Sequence, residues 1–258
     1  MAGDVHRKGA WFGHLCSVAR DEGADTILQL GDFGFWEHKP VGVQFLDEVE
    51  GHLAELDRPC VWIDGNHENH TLLRAAYGPG PDGFVPVRQR LSYAPRGLRW
   101  IWDGVSFLAM GGAPSFDQWM RTEGESWWPE EMLTEDEVAA ASAAGSVDVL
   151  VSHDCPAGLF PPPRAGQSAT VGAPAASPVQ ARVARIAEGF DRAHVHRQLL
   201  RTVVDAVRPR LVVHGHYHHR HSSRLVLDDG TDVQIEGLGR DNQGGDAWWV
   251  LDTATVAT

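Results

Sequence analysis

Twice in its first seventy residues the chain runs an amphipathic helical stretch into a short apolar strand, then stops that strand with glycine and polar side chains. Trp11, Phe12, Leu15, Val18 and Ala19 share one helical face that ends at Gly23, and TILQL, residues 26–30, reads as a buried strand closed by Gly31-Asp32. Phe45, Leu46, Val49, Leu53 and Leu56 mark a second helix, and Cys60-Val61-Trp62-Ile63 a second strand running into Asp64-Gly65-Asn66-His67-Glu68. Strands without polar alternation must be covered on both faces, so this grammar predicts an α/β fold with helices packed on a sheet.

From about residue 98 the pattern changes to hairpins. RWIW and VSFLAM flank Asp103-Gly104, a pair favoured in two-residue turns. Thr134 to Glu137 has the spacing of a capping box that opens an alanine-rich helix ending at Gly145, and VDVLV, residues 147–151, is a strand leading to Ser152-His153-Asp154. Residues 155–181, rich in Pro, Ala, Gly and Ser, predict a long flexible loop that covers a site. A helix over 190–207 stops before Pro209, and the strand RLVVH enters VVHGHYHHRH, five histidines in ten residues. RLVLDDGTDVQIEG reads as a second Asp-Gly hairpin, with a last strand near WWVL. No repeat or linker divides residues 1–258, and 43% hydrophobic content is ample for one large core.

Composition narrows the function classes. Cys16, Cys60 and Cys155 are odd in number and widely spaced, which argues against a disulfide framework or thiolate zinc cluster and suits a reducing compartment. No window carries a membrane-length apolar run, and the first residues lack a signal-peptide core, so a cytoplasmic location is expected. A formal charge of −13 disfavours phosphate-driven binding of nucleic acid.

Polar clusters stand at the predicted strand ends: Gly3-Asp4-Val5-His6, Gly31-Asp32, Gly65-Asn66-His67-Glu68, His153, and Gly215-His216-Tyr217-His218. Ligand sites of α/β sheets gather at the carboxyl ends of strands, so these clusters are expected to converge on one crevice. Asp, Asn and His together supply oxygen and imidazole nitrogen, a set suited to Mn, Fe, Zn, Co or Ni rather than calcium.

In order and residue type the clusters resemble the calcineurin-like metallophosphoesterases, whose blocks run DxH, GD, GNH followed by an acid, a lone His, and GHxH. No single block is specific; all of them in order are, and they span residues 3 to 218. The resemblance implies an α/β/β/α sandwich of two mixed sheets flanked by helices. It implies two divalent ions, manganese with iron or zinc as alternatives, the first held by Asp4, His6, Asp32 and His218, the second by Asp32, Asn66, His153 and His216. Asp32 is then the bridge, His67 the general acid or phosphate-orienting group, and Glu68 and Asp154 carboxylates that fix neighbouring imidazoles. The implied reaction is hydrolysis of a phosphomonoester or phosphodiester by a metal-bridging hydroxide, the substrate a small molecule or a phosphoprotein. A serine/threonine protein phosphatase is the alternative, but GDFGFWEH lacks that branch's Asp-Arg-Gly, and a histidine stands in the fifth block where that branch usually has proline. A metal-binding scaffold without turnover is the reading from another class.

The remaining histidines, His14, His38, His52, His70, His194 and His196, are expected to be structural, His214 to lie beneath the site, and His219 and His221 to face solvent. Trp127-Trp128 is expected to wall a pocket. Residues 113–131, which follow Gly111-Gly112 and carry Arg121, are expected to fold over the crevice as a cap, with Arg121 gripping phosphate. Only Met1, Ala2 and Gly3 precede Asp4, although the first motif normally ends a buried strand of about five or six residues. The natural protein is therefore expected to begin upstream with further Val, Ile or Leu.

Overall fold

The computed structural model describes residues 1–75, 77–159 and 178–256. Its strands form two mixed sheets. In the first, β1 (Ile27–Gln29), β2 (Cys60–Trp62), β3 (Val85–Pro86) and β4 (Leu91–Tyr93) lie in the order β1-β2-β4-β3, with β3 alone antiparallel. In the second, β5 (Arg99–Trp102), β6 (Val105–Met110), β7 (Val149–Ser152), β8 (Leu211–His214), β9 (His221–Val226) and β10 (Asp232–Gly237) lie in the order β5-β6-β7-β8-β10-β9. The two edge hairpins are antiparallel and the centre is parallel.

Helices α1 (Gly9–Asp21) and α2 (Pro40–Leu56) cover the first sheet. A short α3 (His70–Ala75) follows β2, and α4 (Glu135–Ala143) and α5 (Pro178–Val207) cover the second sheet. The period-2 alternation of strand side chains generates the layers. Leu28 and Val61 face Phe107, Ala109, Val149 and Val213 between the sheets, while Leu108, Met110, Leu150 and Val212 face outward onto Leu200, Val203 and Val207 of α5. Cys60 and Trp62 point the other way, onto Phe12, Phe45 and Leu53. The fold is thus the α/β/β/α sandwich, and the clusters that end β1, β2, β7 and β8 emerge on one side of it.

Most expected elements form, with local differences. Thr134 makes both halves of the capping box with Glu137, and Asp103 and Gly104 take the positive φ of 49° and 80° that their hairpin turn needs. Among the described residues α5 already runs from Pro178 rather than from near 190. The expected loop over 155–181 therefore ends in helix, and its residues 160–177 lie outside the described residues. The strand expected near WWVL is absent: Trp248 makes only an isolated bridge with Ala2. α3, β3 and β4 were not foreseen, because two to six residues are too few to display a period. The first residues are bonded on both sides: Ala2 donates to the Leu28 carbonyl and Trp249 to that of Met1.

One buried ion pair joins the first sheet to residues 113–131. Asp64, just past β2, accepts from Arg96 (Nη2, 2.6 Å; Nε, 2.9 Å) and from Tyr93 Oη (2.9 Å), and Arg96 also donates to the carbonyls of Glu130, Glu131 and Met132. Removing one partner of a buried pair strands the other charge. Arg96→Leu is therefore expected to destabilise by roughly 3–5 kcal/mol in chemical denaturation, and a loss below about 1 kcal/mol would show that the pair does not hold this junction.

Candidate metal centre

Each polar cluster is aimed by the strand before it and by a distorted turn. Asp32 follows β1 with φ at 51°, and the next residues, Phe33 and Phe35, are fully buried, Phe33 stacked on Trp62 at 5.1 Å. These rings anchor the loop, so the Asp32 carboxylate is held against Asn66 and His67, whose N–H groups both donate to its Oδ1 at 2.9 Å. A Cβ at Gly65 would collide with Asp32, which is why glycine stands there. His6, His216 and His218 also adopt positive φ, 49°, 69° and 54°. Backbone strain of this kind in non-glycine residues persists only when the surroundings enforce it.

The ring orientations are set from behind. His6 Nδ1 donates to Asp241 Oδ1 (2.8 Å) and His153 Nδ1 to the Leu30 carbonyl (2.7 Å), so each turns Nε2 toward the centre. Between His216 and His218, Tyr217 points away and donates its hydroxyl to Asp154 (2.7 Å), which leaves both imidazoles on the near side. Asn66 is turned by its amide, which donates to Ser115 Oγ (3.0 Å), so Oδ1 faces His153 Nε2 at 3.3 Å.

Two ligand sets result, sharing Asp32: Asp4, His6, Asp32 and His218, and Asp32, His153 and His216. Within each set the donor atoms all lie within 4.8 Å of one another. His6 Nε2 stands 3.5 Å from Asp32 Oδ2, His153 Nε2 3.4 Å from Asp32 Oδ1, and His218 Nε2 3.0 Å from Asp4 Oδ2. Buried Asp4 Oδ2 and His216 Nε2 nevertheless make no hydrogen bond. A buried polar atom left without a hydrogen bond among the described residues in each of the two sets is what a cation in each would satisfy, so this donor set fits two divalent ions.

The electrostatics agree. Burial opposes charge on His6, yet hydrogen bonding and proximity to Asp32, with Asp4 behind it, outweigh burial and raise its pKa to about 9. His153 is raised to about 10 against burial by the same Asp32 carboxylate. Burial lowers His216 to about 4. Asp32, despite burial, is held well below the usual carboxylate range by His67 and His153. Buried negative charge is thus drawing protons onto the nearest imidazoles.

Six of the seven residues expected as ligands fall in these two sets and Asn66 lies beside them, with His67 Nε2 3.7 Å from Asp32 Oδ2 and Arg121 Nη2 3.5 Å from His67 Nε2. Two expected supports act differently. Glu68, fully buried beneath the loops, fixes no imidazole; it accepts from the N–H groups of Gly34 (2.9 Å) and Gly65 (2.5 Å) and is raised to about 8 by burial and by Asp32. Asp154 does fix an imidazole, that of His196 (2.9 Å). His214 lies buried below the site and His219 is exposed, whereas His221 turns in against His214. Trp127 and Trp128 part company: Trp128 is buried against Trp36, and Trp127 lines a cavity. Asp241, Ser115 and Glu131 were missed. Gly237-Leu-Gly-Arg-Asp241 is one more polar cluster after a strand and could have been found; Ser115 and Glu131 carry no local signal.

The model of the calcineurin-like phosphoesterase family matches residues 1–220. The chain belongs to that family. A crystal structure of a dimetal phosphatase from Danio rerio is similar over 93% of this chain and 86% of its own, with 11% identity and a TM-score of 0.48. No curated protein matches the sequence.

A ligating imidazole must be neutral, so metal must displace the protons that the buried carboxylates hold on His6 and His153. With folded pKa values of about 9 and about 10, both rings carry protons near neutral pH in the metal-free protein, and raising the pH removes that competitor. Manganese binding to this phosphoesterase-family chain is therefore expected to release protons and to tighten as pH rises from neutral. Calorimetry in buffers of different ionisation enthalpy measures the release; an enthalpy independent of buffer would contradict it.

Proposed function

We propose that the chain is a dinuclear metal-dependent phosphoesterase that hydrolyses phosphomonoesters or phosphodiesters, with manganese, or iron or zinc, as its ions. The observation that supports this most directly is one buried carboxylate, Asp32, shared by two converging ligand sets beside His67 and Arg121. Asp4, His6, Asp32 and His218 would hold one ion, and Asp32, Asn66, His153 and His216 the other. Such a pair of ions supplies charge neutralisation at the phosphoryl oxygens and an activated water.

The chain's own groups complete the chemistry. His67 is partly exposed; burial lowers its pKa, Arg121 adds to that, and Asp32 opposes it, so the ring is neutral near neutral pH. A neutral imidazole serves as a hydrogen-bond donor to charge developing on a leaving oxygen. Arg121 is steadied by Asp117 (2.7 Å and 2.9 Å) on the segment 113–131, which acts as a cap, and brings its guanidinium to the same point. This position supplies a phosphate-gripping cation that the second motif itself lacks. The substrate is a phosphoester of a small molecule or a phosphoprotein, met in the cytoplasm; the three buried thiols suit that compartment.

A phosphoester panel run with manganese, beside elemental analysis, tests the reading and separates an enzyme from a scaffold that binds metal without turnover. As the shared carboxylate, Asp32 should matter most: Asp32→Asn is expected to empty at least one site, and two tightly held ions with normal turnover in that variant would sink the assignment. His67→Asn should retain both ions and lose turnover by ~10² to 10³-fold, the usual cost of one donor to developing charge. That loss should be smaller for nitrophenyl esters, whose leaving oxygen needs less stabilisation. An equal loss for activated and unactivated esters would remove His67 from the leaving-group side.

A further inference from the structure

Between the segment 113–131 and α5 lies a cavity of about 320 Å³, and its walls touch the metal centre at three places. Ser115 contacts Asn66, Arg121 reaches His67, and the Phe116 ring stacks over His216 at 6.0 Å with an angle of 14°. The cavity therefore adjoins the metal centre, with Ser115, Phe116 and Arg121 standing in both walls. What it offers is unusual for a surface this acidic. Two indoles face two guanidinium groups carried on α5: Arg185 Cζ stands 5.7 Å from the Trp119 ring and Arg192 Cζ 5.8 Å from Trp127. Gln118, Glu123 and Glu188 complete the polar part of the lining.

The charges are not equivalent. Arg121 is paired with Asp117 and Arg192 with Glu131 (2.5 Å), whereas Arg185, on an exposed turn of α5, makes no ion pair among the described residues. We infer that this cavity is the subsite for the leaving group and that it takes a nucleoside: a planar heterocycle against Trp119 and Arg185, its amino and hydroxyl groups donating to the two glutamates. This rests on the phosphoesterase reading above for the placement of the phosphate.

Each part of the lining matches that ligand. Every nucleobase offers a π face for an indole to stack on and for a guanidinium to cover. Carboxylates accept hydrogen bonds only, so Glu123 and Glu188 favour a group rich in N–H and O–H donors and disfavour additional phosphates. The volume sits at the small end of ligand pockets, about 300–1,000 Å³, which suits one nucleoside. Glu131, buried, accepts from both Ser115 and Arg192, so the wall of the cavity and the orientation of Asn66 share one carboxylate.

Binding of AMP and of ribose 5-phosphate to the manganese-loaded full chain, read by calorimetry, tests the subsite without requiring turnover. AMP is expected to bind at least about tenfold more tightly than its base-free counterpart, the usual scale of one aromatic stack. Trp119→Ala and Arg185→Gln should each bring the two affinities together; Arg185 is exposed, so its variant keeps the fold. Equal affinities in the wild type, a difference that survives both variants, or tighter binding of a phosphoserine peptide than of AMP would overturn the inference. Absence of turnover across the phosphoester panel, with AMP selectivity intact and lost in the variants, would instead refute the phosphoesterase reading and leave the nucleoside subsite standing.

Discussion

Two carboxylates, Asp4 and Asp32, lie buried where the carboxyl ends of two sheets meet, and the rest of the molecule is organised around the cost of keeping them there. A buried anion is tolerated only when donors or cations surround it. Around Asp32 the donors are main-chain N–H groups of the neighbouring loop, and around Asp4 the N–H of His216 plays that part at 3.0 Å. The strained turns follow from this. A main-chain donor can be brought to a carboxylate from an adjacent strand end only if the chain reverses sharply, and that reversal is where the positive φ values occur.

The anions also tie the layers together. His153, from the second sheet, donates to the main chain just past β1 of the first and aims its other nitrogen at Asp32. Asp241, following β10, orients His6 from the first residues of the chain. Neither sheet alone contains a complete ligand set, so the centre exists only while the interior layer of Leu28, Val61, Phe107 and Val213 keeps the sheets in register. Charge placement and hydrophobic packing are here the same constraint.

Outward from the centre, a chain of hydrogen bonds runs from Asn66 through Ser115 to Glu131 and on to Arg192 of α5. Glu131 keeps a raised pKa because burial outweighs the bonds it accepts. A segment that merely decorated the surface would have no reason to bury a carboxylate behind the hydroxyl that holds the Asn66 amide. The link makes the shape of the outer cavity and the aim of one inner side chain depend on each other.

Sequence alone determined the faces of the helices and strands and which polar residues stand near strand ends, while the layering and the inner ring of the site came from the family resemblance those residues carry. Helical and strand periods are local: the faces of α1 and α2, the capping box at Thr134 and the Asp103-Gly104 turn each depend on residues within a few positions, and so could be read in line. Most of the candidate ligands could be read because they stand just past an apolar strand, and parallel strands bring their ends to one side; Asp4 and His6, with no strand of their own before them, were legible only from the motif they resemble. Tertiary structure decided what supports them. Ser115 acts on Asn66 from 49 residues along the chain, with Glu131 behind it, and nothing in their own neighbourhood announces it. Glu68, expected as a partner for an imidazole, is buried and accepts instead from two glycine amides, Gly34 and Gly65, which come from two different loops. Local pattern fixes which atoms are available at a strand end; only the packing of sheet on sheet decides which distant atoms they face.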